Sequence, residues 1–234
     1  MATLALIHGG GDVGWAWHLV ERELRELGHD TVAPDLPVDD DTATLDDYAD
    51  TVVEAIGDRA DVIVVGHSYG GFTAPIVADR IRARALVLVT AMIPAPAEQP
   101  ADWWGNTGFA AAVKEQAELD GGLTGNDDPM VAYLHDVPPA LAEQALGNAR
   151  GESTAAYHQP WPLDAWPDVP TTFVLCTEDR FLPAPFVRRV VAERLGVTPV
   201  EIAASHGVAL SRPRELAELL ASVAFGEPAP SPSR

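Results

Sequence analysis

One serine of this sequence lies between two glycines, in Gly66-His-Ser-Tyr-Gly70, directly after the apolar run Asp61-Val-Ile-Val-Val65. A helical pattern follows. G-x-S-x-G between a strand and a helix is typical of a nucleophile elbow, a strained turn that exposes the serine hydroxyl while its glycines let neighbouring backbone come close. Ser68 is therefore the predicted nucleophile.

A serine hydroxyl becomes a good nucleophile only when a histidine removes its proton and a carboxylate orients that histidine. Asp179 follows the apolar run that ends at Cys176, and His206 follows the next apolar run. Both positions are expected at the sheet edge that carries Ser68, in the chain order serine, acid, histidine. We interpret Asp179 as the acid and His206 as the base, with the neighbouring Glu178 as the alternative acid.

The opening loop allows two hypotheses. Gly9, Gly11 and Gly14 fit G-x-G-x-x-G after an apolar run, and Asp35 lies where a dinucleotide site places the acid that holds a ribose. The first hypothesis is therefore an NAD(P)-dependent oxidoreductase.

The second hypothesis is acyl transfer. A tetrahedral oxyanion needs two backbone N–H donors, one after the nucleophile and one from an early loop. Tyr69 and Gly10 are the candidates, and Gly9 then allows close approach to the substrate carbonyl. We favour acyl transfer because the dinucleotide hypothesis leaves Ser68, Asp179 and His206 unexplained.

Short apolar runs alternate with helical patterns, which predicts an α/β fold with a mostly parallel, doubly wound sheet of about six strands. Strands are predicted over 3–7, 31–33, 62–65, 85–89, 172–176 and 200–202. Helices are predicted over 15–27, 45–56, 69–80, 109–119, 139–146, 185–195 and 213–224.

The alternation stops between residues 95 and 166, where Pro, Trp, Ala and acidic residues dominate. We predict that 1–94 and 167–225 form the core and that 95–166 is a helical cap over the carboxyl edge of the sheet. The Pro- and Ser-rich residues 226–234 are predicted to be a disordered tail.

Four of the six tryptophans fall in this predicted cap. Trp103 and Trp104 are candidates for substrate binding. The alternative is that the cap tryptophans form a small core of their own, and the sequence leaves both open.

The chain carries 35 acidic and 15 basic residues, a formal net charge of -20, which disfavours nucleic acid and anionic membrane surfaces as partners. Its single cysteine, Cys176, excludes an internal disulfide. No signal-peptide pattern, long apolar span or metal-binding spacing is found. We expect a cytoplasmic protein with no metal and no cofactor; assembly as a homodimer is left open.

These motifs together resemble the α/β-hydrolase superfamily, and within it the plant methylesterase and hydroxynitrile lyase family. The resemblance covers most of the chain except the predicted cap. The blocks that carry it are Ile7-His-Gly-Gly10, Trp15-Ala-Trp-His18, Leu27-Gly-His-Asp-Thr-Val-Ala-Pro-Asp-Leu36, Val65-Gly-His-Ser-Tyr-Gly-Gly71, Ala91-Met-Ile-Pro94, Cys176-Thr-Glu-Asp-Arg-Phe-Leu-Pro183 and Ser205-His-Gly207.

The resemblance implies a helical cap and cofactor-free ester hydrolysis by Ser68, Asp179 and His206, with Gly10 and Tyr69 as oxyanion donors. The resembled lyases carry a lysine after the base histidine and a hydroxyl in the His-Gly loop. Here Gly207 and Gly9 stand at those positions. We therefore expect a serine hydrolase for a small, apolar or aromatic carboxylic ester, and keep a lyase, a cyclase, a C–C hydrolase or a non-catalytic ligand-binding relative as alternatives.

Overall fold

Six parallel strands form the centre of the computed structural model, which describes residues 1–225. The predicted tail, 226–234, lies outside the described residues. The strands are β1 Thr3–Ile7, β2 Asp30–Val32, β3 Val62–His67, β4 Ala85–Val89, β5 Thr171–Cys176 and β6 Val200–Ile202. Their order in the sheet is β2-β1-β3-β4-β5-β6, and every neighbouring pair is parallel. The predicted α/β class and doubly wound six-stranded sheet are confirmed.

The helices follow the predicted alternation. They are α1 His18–Glu26, α2 Leu45–Ile56, α3 Gly70–Ile81, α4 Pro100–Asn106, α5 Phe109–Asp120, α6 Pro129–Ala132, α7 Pro139–Asn148, α8 Thr154–His158, α9 Ala184–Arg194, α10 Val208–Ser211 and α11 Pro213–Phe225. The predicted helix 15–27 is wrong in its first turn, because Gly14–Trp17 is a 3-10 turn that precedes α1. Helices α4, α6, α8 and α10 were not predicted, since such short helices show little hydrophobic periodicity.

The start and the end of helix α2 are determined by its local sequence. Thr44 accepts a hydrogen bond from the Asp47 N–H, and the Asp47 carboxylate accepts one from the Thr44 N–H, which makes a complete capping box. Gly57 directly follows the last residue of the helix, and its φ of 58° favours glycine there. Its buried face packs against the sheet and α3. The buried residues are Leu45, Tyr48, Ala49, Val52 and Ile56.

Two apolar layers enclose the sheet. One contains the buried sides of α2, α3 and α9, with Tyr48, Phe72 and Val187 among its members. The other contains those of α1 and α11, with Leu24 and Leu220. Helices on both faces of the sheet leave the loops after the strands free to meet at its carboxyl edge.

The long connection between β4 and β5 contains the five helices α4 to α8 and, within the described residues, no strand. An ion pair ties its start to α9: Arg194 Nη2 lies 2.8 Å from Glu98 Oε1, and the Glu98 side chain is only 3% exposed. Burial opposes ionisation of Glu98, but the Arg194 guanidinium and the Asn106 amide outweigh it and lower the pKa of this carboxyl. The division into a core and a separate cap stays a prediction.

None of the helices described over residues 1–225 combines the length and the apolar character needed to cross a membrane.

Gly71 allows the closest backbone approach around the elbow, because a Cβ at this position would lie 1.9 Å from the Met92 carbonyl oxygen. We expect Gly71→Ala to lower the free energy of unfolding by at least about 2 kcal/mol, since neither backbone segment can move away freely. Gly105→Ala is the matched control: it lies in α4 with no atom within 4 Å of the added Cβ. Chemical denaturation that gave equal stability for the two variants would contradict this account.

Candidate active site

The serine predicted as nucleophile lies between the end of β3 and the start of α3. Ser68 has a φ of 52°, a left-handed conformation that is strained for a residue with a side chain. A Cβ at Gly66 would lie 2.6 Å from the Ala74 Cβ, and one at Gly70 would lie 2.7 Å from the His8 carbonyl oxygen. The glycines of G-x-S-x-G are therefore required by close packing on both sides of the turn.

The structure brings together the three residues predicted as a triad. His206 Nε2 lies 2.9 Å from Ser68 Oγ, and His206 Nδ1 lies 2.7 Å from Asp179 Oδ2. All three side chains are buried. Because the carboxylate can only accept, Nδ1 carries the imidazole proton and Nε2 is free to accept from the serine hydroxyl.

Asp179 is held by four donors. Its Oδ2 accepts from His206 and from Thr90 Oγ1, which is 2.7 Å away, and its Oδ1 accepts from the N–H groups of Phe181 and Leu182. Burial opposes ionisation, but the charge and hydrogen bond of His206, with the other donors, outweigh it and lower the pKa of Asp179. The alternative acid, Glu178, has an exposed side chain that is not part of this network.

Sequence analysis missed Thr90, which directly follows β4 and has a φ of 38°. Positive φ is unusual for a β-branched residue. This backbone conformation directs the hydroxyl toward Asp179, which lies 89 positions later in the sequence. The only available signal was its place at the carboxyl end of a strand.

His67 and the insertion hold the loop that carries His206. His67 Nε2–H donates to the His206 carbonyl at 3.0 Å, and burial, with the nearby His206, lowers the pKa of His67 to about 3, so its ring stays neutral. The Gly207 N–H donates to the Tyr133 carbonyl, and the Ser205 N–H donates to Asp136 Oδ2. These supports were also missed, because no local pattern marks them.

The opening loop is fixed by His8, which is 1% exposed. Its Nδ1–H donates to the Gly9 carbonyl at 2.8 Å, and its Nε2 accepts from the Leu36 N–H at 3.1 Å. Burial lowers the pKa of His8, in keeping with the neutral ring that this bonding requires. A Cβ at Gly9 would lie 2.9 Å from the Ser68 Cβ, so the loop lies directly against the nucleophile.

The two predicted oxyanion donors lie on either side of this contact. Tyr69 follows the nucleophile, and its Cβ would be 3.4 Å from a Cβ at Gly10. Within the described residues, neither the Gly10 N–H nor the Tyr69 N–H donates to an acceptor of the protein. Both are therefore able to bind an oxygen of a ligand.

The residues that suggested a dinucleotide site have other contacts. The Gly14 N–H donates to Asp35 Oδ1 at 2.8 Å, and a Cβ at Gly14 would meet the Ala33 carbonyl oxygen at 2.1 Å. The Gly11 N–H donates to the Glu152 carboxylate, which lies where that hypothesis requires a phosphate. The spaced glycines thus allow close packing against the end of β2 and against the insertion.

No group of three or more potential metal ligands occurs among the residues that the structure describes.

A cavity of about 420 Å³ opens beside the nucleophile. Ser68, His206, Gly9, Gly10 and Tyr69 all line it. Most of the remaining wall is apolar or aromatic, which is typical of small-molecule sites.

The two adjacent cap tryptophans have different surroundings. Trp104 lines the cavity and donates from Nε1 to the Tyr157 hydroxyl at 3.0 Å. Trp103 is not among the described cavity-lining residues, so its proposed contact with substrate is not supported. It is 1% exposed, packs edge-on against Phe186 of α9 and donates to the Ile93 carbonyl. Adjacent helical residues point in different directions, and only one of this pair reaches the cavity.

A family model described as the alpha/beta hydrolase family matches residues 4–219, which is most of the chain. The chain belongs to the alpha/beta hydrolase family. This hydrolase is 27% identical to methylesterase 7 of Arabidopsis thaliana, over 94% of this chain and 95% of that protein. It is 28% identical to the carbendazim hydrolyzing esterase of Nocardioides sp. (strain SG-4G), over 95% of this chain and all of that protein.

Solved structures agree on the fold of the hydrolase. A crystal structure of polyneuridine aldehyde esterase superposes with a TM-score of 0.78 at 20% identity, and the match covers 95% of this chain and 99% of that one. The predicted resemblance to plant methylesterases is confirmed by the sequence relatives. At this identity the structural match shows the fold alone.

The cavity of the hydrolase contains a carboxyl group that the sequence did not single out. Asp12 lines the wall, and burial raises the pKa of Asp12 to about 6, although a hydrogen bond from the Val13 N–H and the nearby His206 lower it in part. Ionisation of Asp12 therefore costs folding free energy.

This cost predicts a pH-dependent stability difference between wild type and Asp12→Asn. The folded-state pKa is raised, so the cost is absent below about pH 4, grows as pH rises and is complete above about pH 6. At about 1.4 kcal/mol per pKa unit, wild type should lose up to about 3 kcal/mol relative to the variant across that range. The asparagine keeps an acceptor for the Val13 N–H. Denaturant unfolding of both proteins at several pH values is the measurement, and parallel stability curves would contradict the prediction.

Proposed function

We propose that the protein hydrolyses small carboxylic esters through an acyl-enzyme on Ser68. The observation that carries this proposal is the continuous hydrogen-bonded chain from Ser68 Oγ through His206 to Asp179, with distances of 2.9 and 2.7 Å, at the wall of a cavity. Nucleophile, base and orienting acid are thus within the reach that general-base catalysis requires.

In the proposed reaction Ser68 Oγ attacks the ester carbonyl carbon while His206 Nε2 takes the hydroxyl proton. Asp179 stabilises the resulting imidazolium. The carbonyl oxygen becomes an oxyanion that accepts from the N–H groups of Gly10 and Tyr69. The C–O bond to the alcohol breaks, the alcohol leaves with the proton from His206, and water then hydrolyses the acyl-enzyme by the same steps.

The relatives named as a methylesterase and an esterase support an ester substrate. The cavity volume of about 420 Å³ and walls that include Trp104 and Phe181 support a small substrate with an apolar or aromatic part. Neither the chemistry nor the wall requires a cofactor. A cytoplasmic location and a homodimer stay predictions.

Asp179→Asn should lower kcat for p-nitrophenyl acetate by roughly 10³- to 10⁴-fold, because the imidazole loses the anion that orients it and stabilises its charge. Glu178→Gln is the matched control: it removes the neighbouring carboxylate, which faces solvent, and should retain wild-type kcat. Ser68→Ala gives the background rate and should abolish labelling by a fluorophosphonate.

Circular dichroism checks that each of these variants folds. Loss of activity in Glu178→Gln but not in Asp179→Asn would reassign the acid. Wild-type turnover and labelling in Ser68→Ala would refute the serine mechanism.

Cyanohydrin cleavage distinguishes an esterase from a lyase. The departing cyanide needs a positive charge, and the resembled lyases supply it with a lysine after the base. Gly207 stands at that position here and has no side chain, so this position supplies no positive charge. Loss of one preorganised group for a developing anion costs on the order of 10²–10³ in rate.

We therefore expect no cleavage of mandelonitrile or acetone cyanohydrin above the buffer rate. Release of benzaldehyde or acetone is followed with wild type and Ser68→Ala in parallel. Rapid release that requires Ser68 would overturn the esterase assignment and favour the lyase alternative.

A further inference from the structure

Glu152 brings a carboxyl group against the loop of the proposed oxyanion donors. Its Oε1 accepts from the Gly11 N–H at 2.6 Å, and a Cβ at Gly10 would lie 2.6 Å from the same oxygen. The Arg150 N–H donates to the Gly11 carbonyl at 2.9 Å, so backbone as well as side chain holds this segment. The carboxyl is thereby fixed at the cavity wall, next to the site where a substrate carbonyl would bind.

Two buried side-chain oxygen atoms of cavity-lining residues have no hydrogen-bond partner among residues 1–225. Glu152 Oε2 and the Tyr69 hydroxyl are both buried and make no hydrogen bond there. Tyr69 is only 8% exposed and also lines the cavity. An unpaired buried acceptor costs roughly 1–3 kcal/mol, and a ligand that brings a donor removes that cost.

The charged residues that line the cavity indicate which charge such a ligand carries. The described residues that line the cavity include the carboxyl groups of Asp12 and Glu152 but no lysine or arginine. The nearest basic residue in sequence, Arg150, directs its guanidinium to Asp35 and Asp39 instead. A carboxylate beside an oxyanion site opposes the negative charge that develops there, unless a cation neutralises it.

The aromatic wall suits the same ligand. Trp104, Tyr133, Tyr157 and Phe181 all line the cavity. Their rings attract a cation by the electrostatic quadrupole while they bury its apolar substituents. The net charge of -20 also attracts cations to the protein from a distance.

We propose that the cavity selects esters whose acyl or alcohol part carries a protonated amine, and that Glu152 is the specificity-determining residue that accepts its N–H. This inference rests on the proposed ester hydrolysis and adds a substrate class to it.

Two pairs of esters of equal shape test the proposal. Methyl 4-(dimethylamino)butanoate carries an ammonium N–H in the acyl part, and methyl 5-methylhexanoate replaces that group by an isopropyl group. 2-(Dimethylamino)ethyl butanoate and 3-methylbutyl butanoate make the same comparison in the alcohol part. Wild type should prefer the ammonium ester of at least one pair by roughly 10- to 100-fold in kcat/KM, the range for a hydrogen bond to a charged group.

Glu152→Gln separates recognition from support of the loop, because its amide oxygen still accepts from the Gly11 N–H while its charge is lost. We expect this variant to reduce the ammonium preference by at least roughly tenfold. Glu143→Gln, on an exposed position of α7, is the matched control and should keep both rates and their ratio. Calorimetric binding of the same esters to Ser68→Ala measures the preference without turnover.

The outcomes are distinct. No preference in either pair with wild type, or an unchanged preference in Glu152→Gln, overturns the ligand proposal while Ser68-dependent ester hydrolysis stands. Binding to Ser68→Ala that prefers the ammonium ester and requires Glu152, with no ester hydrolysed and no fluorophosphonate labelling of wild type, supports the ligand site and refutes ester hydrolysis.

Discussion

The strained turn at Ser68 is the constraint on which the active site depends. A left-handed conformation at a residue with a side chain costs about 1–3 kcal/mol and persists only where surrounding structure enforces it. Here the Ser68 N–H donates to the Val89 carbonyl, and the Ser68 carbonyl accepts from the N–H groups of Gly71 and Met92. The turn is thus bound to the loop after β4, which requires the neighbouring backbones to come within van der Waals contact of each other.

The insertion between β4 and β5 does more than cover the sheet. Its residues Tyr133 and Asp136 bond to the backbone on either side of His206, and the His135 ring donates to the carbonyl of Glu178 in the loop of the acid. Each such bond contributes about 0.5–1.5 kcal/mol net. His206, Asp179 and the insertion are therefore positioned together, so we expect a change in the insertion to alter the geometry of the proposed triad as well as the shape of the cavity.

Three carboxyl groups around the cavity differ in the direction of their pKa shifts. At Asp179 the charge and hydrogen bond of His206, with the other donors, outweigh burial and lower the pKa. At Asp12 and Glu152, on the cavity wall, burial outweighs the single backbone hydrogen bond of each carboxyl group and raises its pKa. Unmatched charge is costly to bury, and this cost is the physical basis of the cationic ligand that we propose.

The six strands, the main helices, the turn at Ser68 and the chain order of the proposed triad were predictable from the sequence, because hydrophobic periodicity and glycine spacing are local properties of the chain. It favoured Asp179 as the acid but kept Glu178 as an alternative, and it left open whether Trp103 and Trp104 line a pocket or form a core of the cap. Adjacent side chains differ only in direction, and direction relative to the cavity is set by packing. Glu152 was not found at all. Its place at the cavity wall comes from contact with Gly11, 141 positions earlier, and no local pattern records a contact that only the folded chain makes.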